Sequence, residues 1–342
     1  MENTKINSIK CINQEDYSSE ITSLLVLKDG SIVLSDDDGY VTVLNIDKKE
    51  GNLILKEISK TLIRDTGHLL AEVKNDNDEK SDLIITTFGD IEKYSINEKG
   101  LEKICDIGGM DKPTFYDLKV LTNDRIAVCS NMNNILIIDI NTTLLFSEIV
   151  KDEDEEENPK GFCLFHNPKE IMTLFQIKDK EILVTGSADK ILRFWNIEPK
   201  EDDEDEYDEE HVCDLIAKIK KVPTCINTTI CQIDNILVVG GIGYINIISI
   251  IEKEKIIFQK TFTFDFDNIE LDTFSVCSFD NNFSLCGGRK GELVKINIGK
   301  NNFSYEIKKE NISESTINFI VKVDDKHFVT GCKDGVLKLF EI

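Results

Sequence analysis

Short apolar runs recur along the whole chain, each bounded by a cluster of Asp, Asn, Lys or Gly. The clearest stretch is Glu181 to Lys200, EILVTGSADKILRFWNIEPK. Its pattern predicts two strands, ILVTGS and ILRFWNI, joined by a tight turn at Ala188, Asp189 and Lys190, because apolar segments separated by a few turn residues form antiparallel hairpins. The phrase returns six more times in degraded form, as in SIVLSDDDGYVTVLNI, RIAVCSNMNNILIIDI and HFVTGCKDGVLKLFEI. The copies end at Ile46, Ile96, Ile140, Ile197, Ile250, Ile298 and Ile342, roughly 44 to 57 residues apart, a spacing found in propellers and other repeat arrays.

Each hairpin is preceded by a third apolar segment, such as ITSLLVLKD or IMTLFQIKDK, and most are followed by a fourth. In the third copy the fourth segment is read as Leu144–Val150, LLFSEIV. Four short strands per repeat, seven repeats and no long helical periodicity predict an all-β fold: one seven-bladed β-propeller of four-stranded antiparallel blades, spanning residues 1–342. The last copy stops at Ile342 after its third strand, whereas Lys5–Ile12, KINSIKCI, is a strand without a blade. Pairing the two seals the ring and leaves no open sheet edge.

The segment Val184 to Ile197, VTGSADKILRFWNI, resembles a WD repeat, and the resemblance extends in weaker form over the chain. Thr185, Asp189 and Trp195 stand where that family places its Ser/Thr, its turn Asp and its Trp, and Gly67–His68 matches its Gly–His signature. The resemblance implies that His68, Thr185, Asp189, Trp195 and the turn residue Asp334 brace their blades. The departures are large: Trp195 is the only Trp, and Asn196 replaces the Asp of the motif. Apolar packing is therefore expected to do most of the bracing.

The net charge of −24 is concentrated. Asp152–Glu157 carries six acidic residues and Glu201–Glu210 carries nine; without those fifteen charges the remainder is −9. The two runs read as insertions at 151–158 and 200–211, since blocks of like charge repel and resist packing. Counting strands places the first on the face of the Asp189 turn and the second on the opposite face. A chain with no clustered basic surface is a poor partner for free nucleic acid. No apolar run reaches the length of a membrane span, and the N-terminus lacks the pattern of a secretory signal. Ten scattered cysteines without a C-x-x-C pair suggest a reduced protein of the cytoplasm or nucleus.

No chemistry stands out. Gly240–Gly243 and Gly287–Gly288 lack the Gly-Lys-Ser/Thr and following helix of a phosphate loop. His68, His166, His211 and His327 lie far apart without metal-ligand spacing, and no nucleophile has a base beside it. No cofactor, metal or enzymatic activity is expected. The expected role is a scaffold that binds proteins or peptides on the face holding the turns between second and third strands. Its contact residues are read as Asp36, Asp37 and Asp38, Phe115 and Tyr116, Ile242, Arg289 and Lys290, and Lys333. One alternative is an acidic escort for basic proteins such as histones or ribosomal proteins; a second is a propeller hydrolase.

Overall fold

In runs such as Ile182–Ser187 every residue is buried, because a blade is covered on both faces by its neighbours. The computed structural model describes residues 9–342 except 50–51, 65–67, 75–80, 98, 110–113, 123, 132–134, 141–160, 165–168, 199–213, 223–228, 254, 267–272, 280–282, 299–302 and 309–311. Among the described residues there are only strands, arranged as seven four-stranded antiparallel sheets in a propeller ring. β1 (Lys10–Asp16) precedes the blades. Blade one holds β2 (Ile21–Val26), β3 (Ile32–Asp36), β4 (Tyr40–Lys49) and β5 (Asn52–Leu62). Blade two holds β6 (Leu70–Lys74), β7 (Ser81–Thr86), β8 (Asp90–Asn97) and β9 (Gly100–Gly109). Blade three holds β10 (Phe115–Val120), β11 (Arg125–Ser130), β12 (Ile135–Asp139) and β13 (Gly161–Leu164). Blade four holds β14 (Ile171–Gln176), β15 (Ile182–Ser187), β16 (Ile191–Asn196) and β17 (Asp214–Lys220). Blade five holds β18 (Ile230–Ile233), β19 (Ile236–Gly241), β20 (Tyr244–Glu252) and β21 (Ile256–Asp265). Blade six holds β22 (Thr273–Phe279), β23 (Phe283–Gly288), β24 (Leu293–Ile298) and β25 (Phe303–Lys308). Blade seven holds β26 (Ile317–Lys322), β27 (His327–Cys332) and β28 (Val336–Glu341), with β1 as its fourth strand.

Apolar clusters fill the seams between successive blades. Val33, Val41 and Val43 of blade one meet Leu70, Leu83 and Ile85 of blade two. Leu24, Leu34 and Leu44 of blade one meet Phe319, Val329 and Leu339 of blade seven, so the ring has no gap. The other five seams are filled in the same way. The first strand of each blade is the inner one, and β2, β6, β10, β14, β18, β22 and β26 neighbour one another around the ring. In five of these inner strands the pairing register shifts after the first residue. The third residue then reaches across a seam: Ser23 accepts from the Leu70 N–H at 3.2 Å, Asp117 from Leu174 at 2.7 Å, and Ser275 from Ile320 at 2.8 Å.

Two strands differ from their sequence positions. The closing strand is Lys10–Asp16 rather than Lys5–Ile12, paired from Lys10↔Glu341 to Asp16↔Val336. An outermost strand is wetted along most of its length, so the polar run Asn13–Asp16 continues it where an apolar pattern stops. Residues 1–8 lie outside the described residues. In blade three the fourth strand is Gly161–Leu164, which pairs Ile135↔Leu164 through Ile138↔Gly161, so it is not Leu144–Val150. Four residues after a long insertion are too short a run to stand out, and Leu144–Val150 lies outside the described residues.

The second change moves the first acidic run. Asp152–Glu157 now belongs to the connection between β12 and β13, as Glu201–Glu210 belongs to that between β16 and β17. Both runs lie outside the described residues, but their anchoring strand ends occupy equivalent positions on adjacent blades. Successive connections in an antiparallel sheet alternate between its two ends. The strand ends that anchor both connections therefore share one face, opposite the Asp189 turn, whereas the sequence pattern had placed the first connection after a fourth strand.

Deleting residues 1–16 leaves β28 as an open edge and uncovers the seam around Ile9 and Ile12. The truncated chain should lose about 3–5 kcal/mol of stability, the scale of re-exposing two apolar side chains. An unchanged midpoint in thermal or urea unfolding contradicts ring closure by β1.

Candidate functional site

The turns between second and third strands share one face, and backbone hydrogen bonds pin them there. The first turn residue donates to the carbonyl just before the inner strand of the same blade. These bonds are Asp37 to Glu20 at 2.9 Å, Asn131 to Thr114 at 3.0 Å, Ala188 to Glu170 at 3.0 Å and Lys333 to Thr316 at 2.9 Å. The last turn residue accepts from a residue one or two places past the outermost strand. Here Ile63 donates to Gly39 at 3.1 Å, Val222 to Lys190 at 3.0 Å, Phe266 to Gly243 at 2.8 Å and Tyr17 to Gly335 at 2.9 Å. Tyr17 follows β1, so β1 fills the role that β5, β17 and β21 fill elsewhere. The accepting residue has a positive φ in all four turns, at Gly39 (84°), Lys190 (62°), Gly243 (73°) and Gly335 (82°). At Gly335 a Cβ would stand 2.5 Å from the Tyr17 carbonyl oxygen, so only glycine fits the closing seam.

Most of the residues read from the sequence as contacts stand at these tips. Asp37, Asp38, Ile242, Arg289, Lys290 and Lys333 are exposed. Ile242 is 57% exposed between Gly241 and Gly243. Asp38 accepts from Ser18 Oγ at 3.0 Å, and the Lys290 N–H donates to Glu292 at 2.8 Å, so these turns are held by side chains as well.

Three of the residues read as contacts are less exposed. Asp36 is fully buried, accepting from the Tyr40 N–H at 2.9 Å, with the Lys60 ammonium 3.9 Å away. Burial pushes its carboxyl up, against the Tyr40 N–H and Lys60. It shapes the turn. Phe115 is half-buried in the seam between blades two and three, and Tyr116 in that between three and four. Sequence reasoning missed Phe88, 57% exposed at the blade-two turn before Gly89. Its signal was available, since Thr87–Phe88–Gly89 places an apolar residue before a turn glycine just as Ile242–Gly243 does.

The bracing residues divide. In blade four the Trp195 indole N–H donates to Thr185 Oγ at 3.0 Å in the interior. Asp189 pairs with Arg193 instead, Nη2 to Oδ2 at 2.6 Å and Nη1 to Oδ1 at 3.2 Å, and accepts from the Ile191 N–H at 3.0 Å. Burial raises the Asp189 carboxyl, but Arg193 outweighs it and holds the group below the usual carboxylate range. His68 is buried at the entry to blade two, where Nδ1 donates to the Thr86 carbonyl at 2.8 Å. Burial pushes the imidazole below its ordinary value of 6.5, against the carbonyls of Thr86, Gly39 and Arg64. Asp334 is exposed and caps the Val336 N–H, at 3.4 Å. His166 and His211 lie outside the described residues.

Among the described residues no group of three His, Cys, Asp or Glu could hold a metal ion, and no helix could cross a membrane. No family model and no curated protein matches the chain.

Replacing Thr185 with Val removes the Thr185–Trp195 hydrogen bond from the interior and should cost about 1–3 kcal/mol, measured by urea unfolding. An unchanged midpoint removes Thr185 from the brace. His68 gives a pH dependence whose sign follows from its lowered folded-state value. Below about 6.5 the unfolded chain takes up a proton that the folded ring refuses, so this contribution to stability falls as pH drops and is constant above that range. His68→Asn should flatten the fall in melting temperature between about pH 7 and about pH 5; an identical slope contradicts the burial argument.

Proposed function

We propose that the chain is a WD-repeat propeller that acts as a non-enzymatic scaffold, binding protein or peptide partners on the turn face. The observation that carries this reading is the pair of apolar tips, Phe88 on blade two and Ile242 on blade five, each 57% exposed on its turn. An exposed apolar side chain on a held turn is suited to fill a partner's pocket, and charges around it select the partner. Acidic tips on blade one and basic tips on blades four, six and seven supply those charges. The WD-repeat assignment is supported by the seven blades, the closing N-terminal strand and the Thr185–Trp195 bond of blade four. The scattered cysteines fit a place in the cytoplasm or nucleus.

Phe88→Ser combined with Ile242→Ser tests the reading without touching the core. The double variant should melt with the wild type and lose at least tenfold in affinity for partners captured from cell extract at high salt. Retained capture overturns the turn face as the site.

A second reading, the acidic escort for basic proteins, is favoured by the strand ends that anchor the two acidic connections, which share one face of adjacent blades. Acidic connections anchored on one face of adjacent blades suit a single basic partner. Deleting Glu201–Glu210 should leave the fold and capture by the turn face intact. Loss of the main partner on this deletion, with binding that collapses as salt rises, transfers the function to the acidic face.

A further inference from the structure

A cavity of about 630 Å³ lies between blades four and five, on the side of the Asp189 turn. Lys190, Lys220 and Lys221 line it from blade four and Lys260 from blade five. The chain as a whole carries a charge of −24, so four lysines lining one cavity run against its composition; the Lys260 ammonium donates to the Lys221 carbonyl across the seam at 3.4 Å. Among the described residues no carboxylate forms an ion pair with any of the four. The carboxylate in the lining is Asp189, which is held in the bidentate pair with Arg193. Cations gathered in a concave site raise the local concentration of anions and repel one another until an anion joins them.

The deeper polar group points the same way. Asn246 lines the cavity yet is only 1% exposed. Its Oδ1 accepts from Thr263 Oγ at 3.0 Å, whereas its Nδ2 has no hydrogen-bond partner. A buried N–H donor without an acceptor is destabilising and rare in folded proteins. Two of the lysines also sit in left-handed backbone, Lys190 at φ 62° and Lys221 at φ 60°. Blades one, two, five, six and seven use Gly39, Gly89, Gly243, Gly291 and Gly335 at the position of Lys190. A cationic side chain is thus kept where the backbone prefers none.

We propose that this cavity binds a small phosphate ester bearing two or more phosphate groups. The lysines would neutralise the phosphates as point charges, and Asn246 Nδ2 would donate to an oxygen of the same ligand. The volume is that of a small-molecule site, and a nucleic acid would need a basic track extending beyond it. A phosphorylated lipid headgroup offers the same chemistry as a soluble ester, so the two sources are separated by measurement.

The experiment is calorimetric titration of the full chain with inorganic tripolyphosphate, alongside flotation with vesicles containing phosphatidylinositol bisphosphate. Wild type should bind tripolyphosphate, more weakly as salt is added. Lys190→Gly adopts the residue that five other blades use, so it should melt at or above the wild-type temperature while binding at least tenfold more weakly. Asn246→Asp keeps the acceptor for Thr263 but removes the donor and adds a negative charge, and should abolish binding. Binding from vesicles but not from solution, lost in the same variants, assigns the phosphates to a lipid headgroup. No binding of either probe to wild type, or unchanged affinity in Lys190→Gly and in Lys260→Glu, overturns the proposal. The titration involves no protein partner, so its outcome is separate from that of the turn-face reading.

Discussion

A blade of this chain has no core of its own. Val33 and Leu34 are adjacent in β3 and both are fully buried, one against blade two and the other against blade seven. A strand that is apolar on both sides must be covered on both sides, so each blade is stable only between two others. Such a stack has two raw ends unless it closes on itself. The seam between blades seven and one removes them, with Phe319, Val329 and Leu339 packed on Leu24, Leu34 and Leu44. Because β1 completes blade seven, closing the ring also ties the beginning of the chain to its last strand.

That closure fixes the turns, and the turns carry the proposed function. A turn whose first N–H and last carbonyl are both committed to neighbouring connections keeps its backbone whatever its tip residues are. Blade one can then present Asp37 and Asp38, blade two Phe88, blade five Ile242 and blade six Arg289 and Lys290 without altering the fold. Tip residues vary while the backbone contacts repeat, which separates binding from stability. Lys190 is the exception, since it takes the left-handed backbone that glycine holds at this turn position in other blades.

The repeat was legible because strand pairing depends on local pattern. The hairpin copies aligned from the sequence stand in matching registers, with Asp82↔Ser95, Arg125↔Asp139, Ile182↔Asn196, Ile236↔Ser249, Phe283↔Asn297 and His327↔Glu341. Outer strands were less legible, because a solvent-facing edge tolerates polar residues such as Asn13–Asp16. Side-chain burial at the turns escaped for a different reason. Asp36, Asp37 and Asp38 are one acidic run in the sequence, yet the end of β3 turns the first inward and leaves the others exposed. The lysine cavity was invisible, since Lys190, Lys220 and Lys260 lie on three strands or turns from two blades and are unremarkable one by one. Only the pairing of Ile191 with Lys220, and the packing of blade four on blade five, brings them together.

The claim on which this account rests most heavily is that the surface turns are held as firmly as the strands they join. Native-state hydrogen exchange reads that directly at the amides of Asp37, Ala188, Lys333, Ile63, Val222, Phe266 and Tyr17. Those amides should exchange as slowly as amides within β3, β15 and β28, although several lie in turns at the surface. Tyr17 is the most telling, because its protection depends on β1 remaining paired with β28. Exchange of Tyr17 and the turn amides at the rate of an unstructured chain would contradict both the closed ring and the rigid turn face.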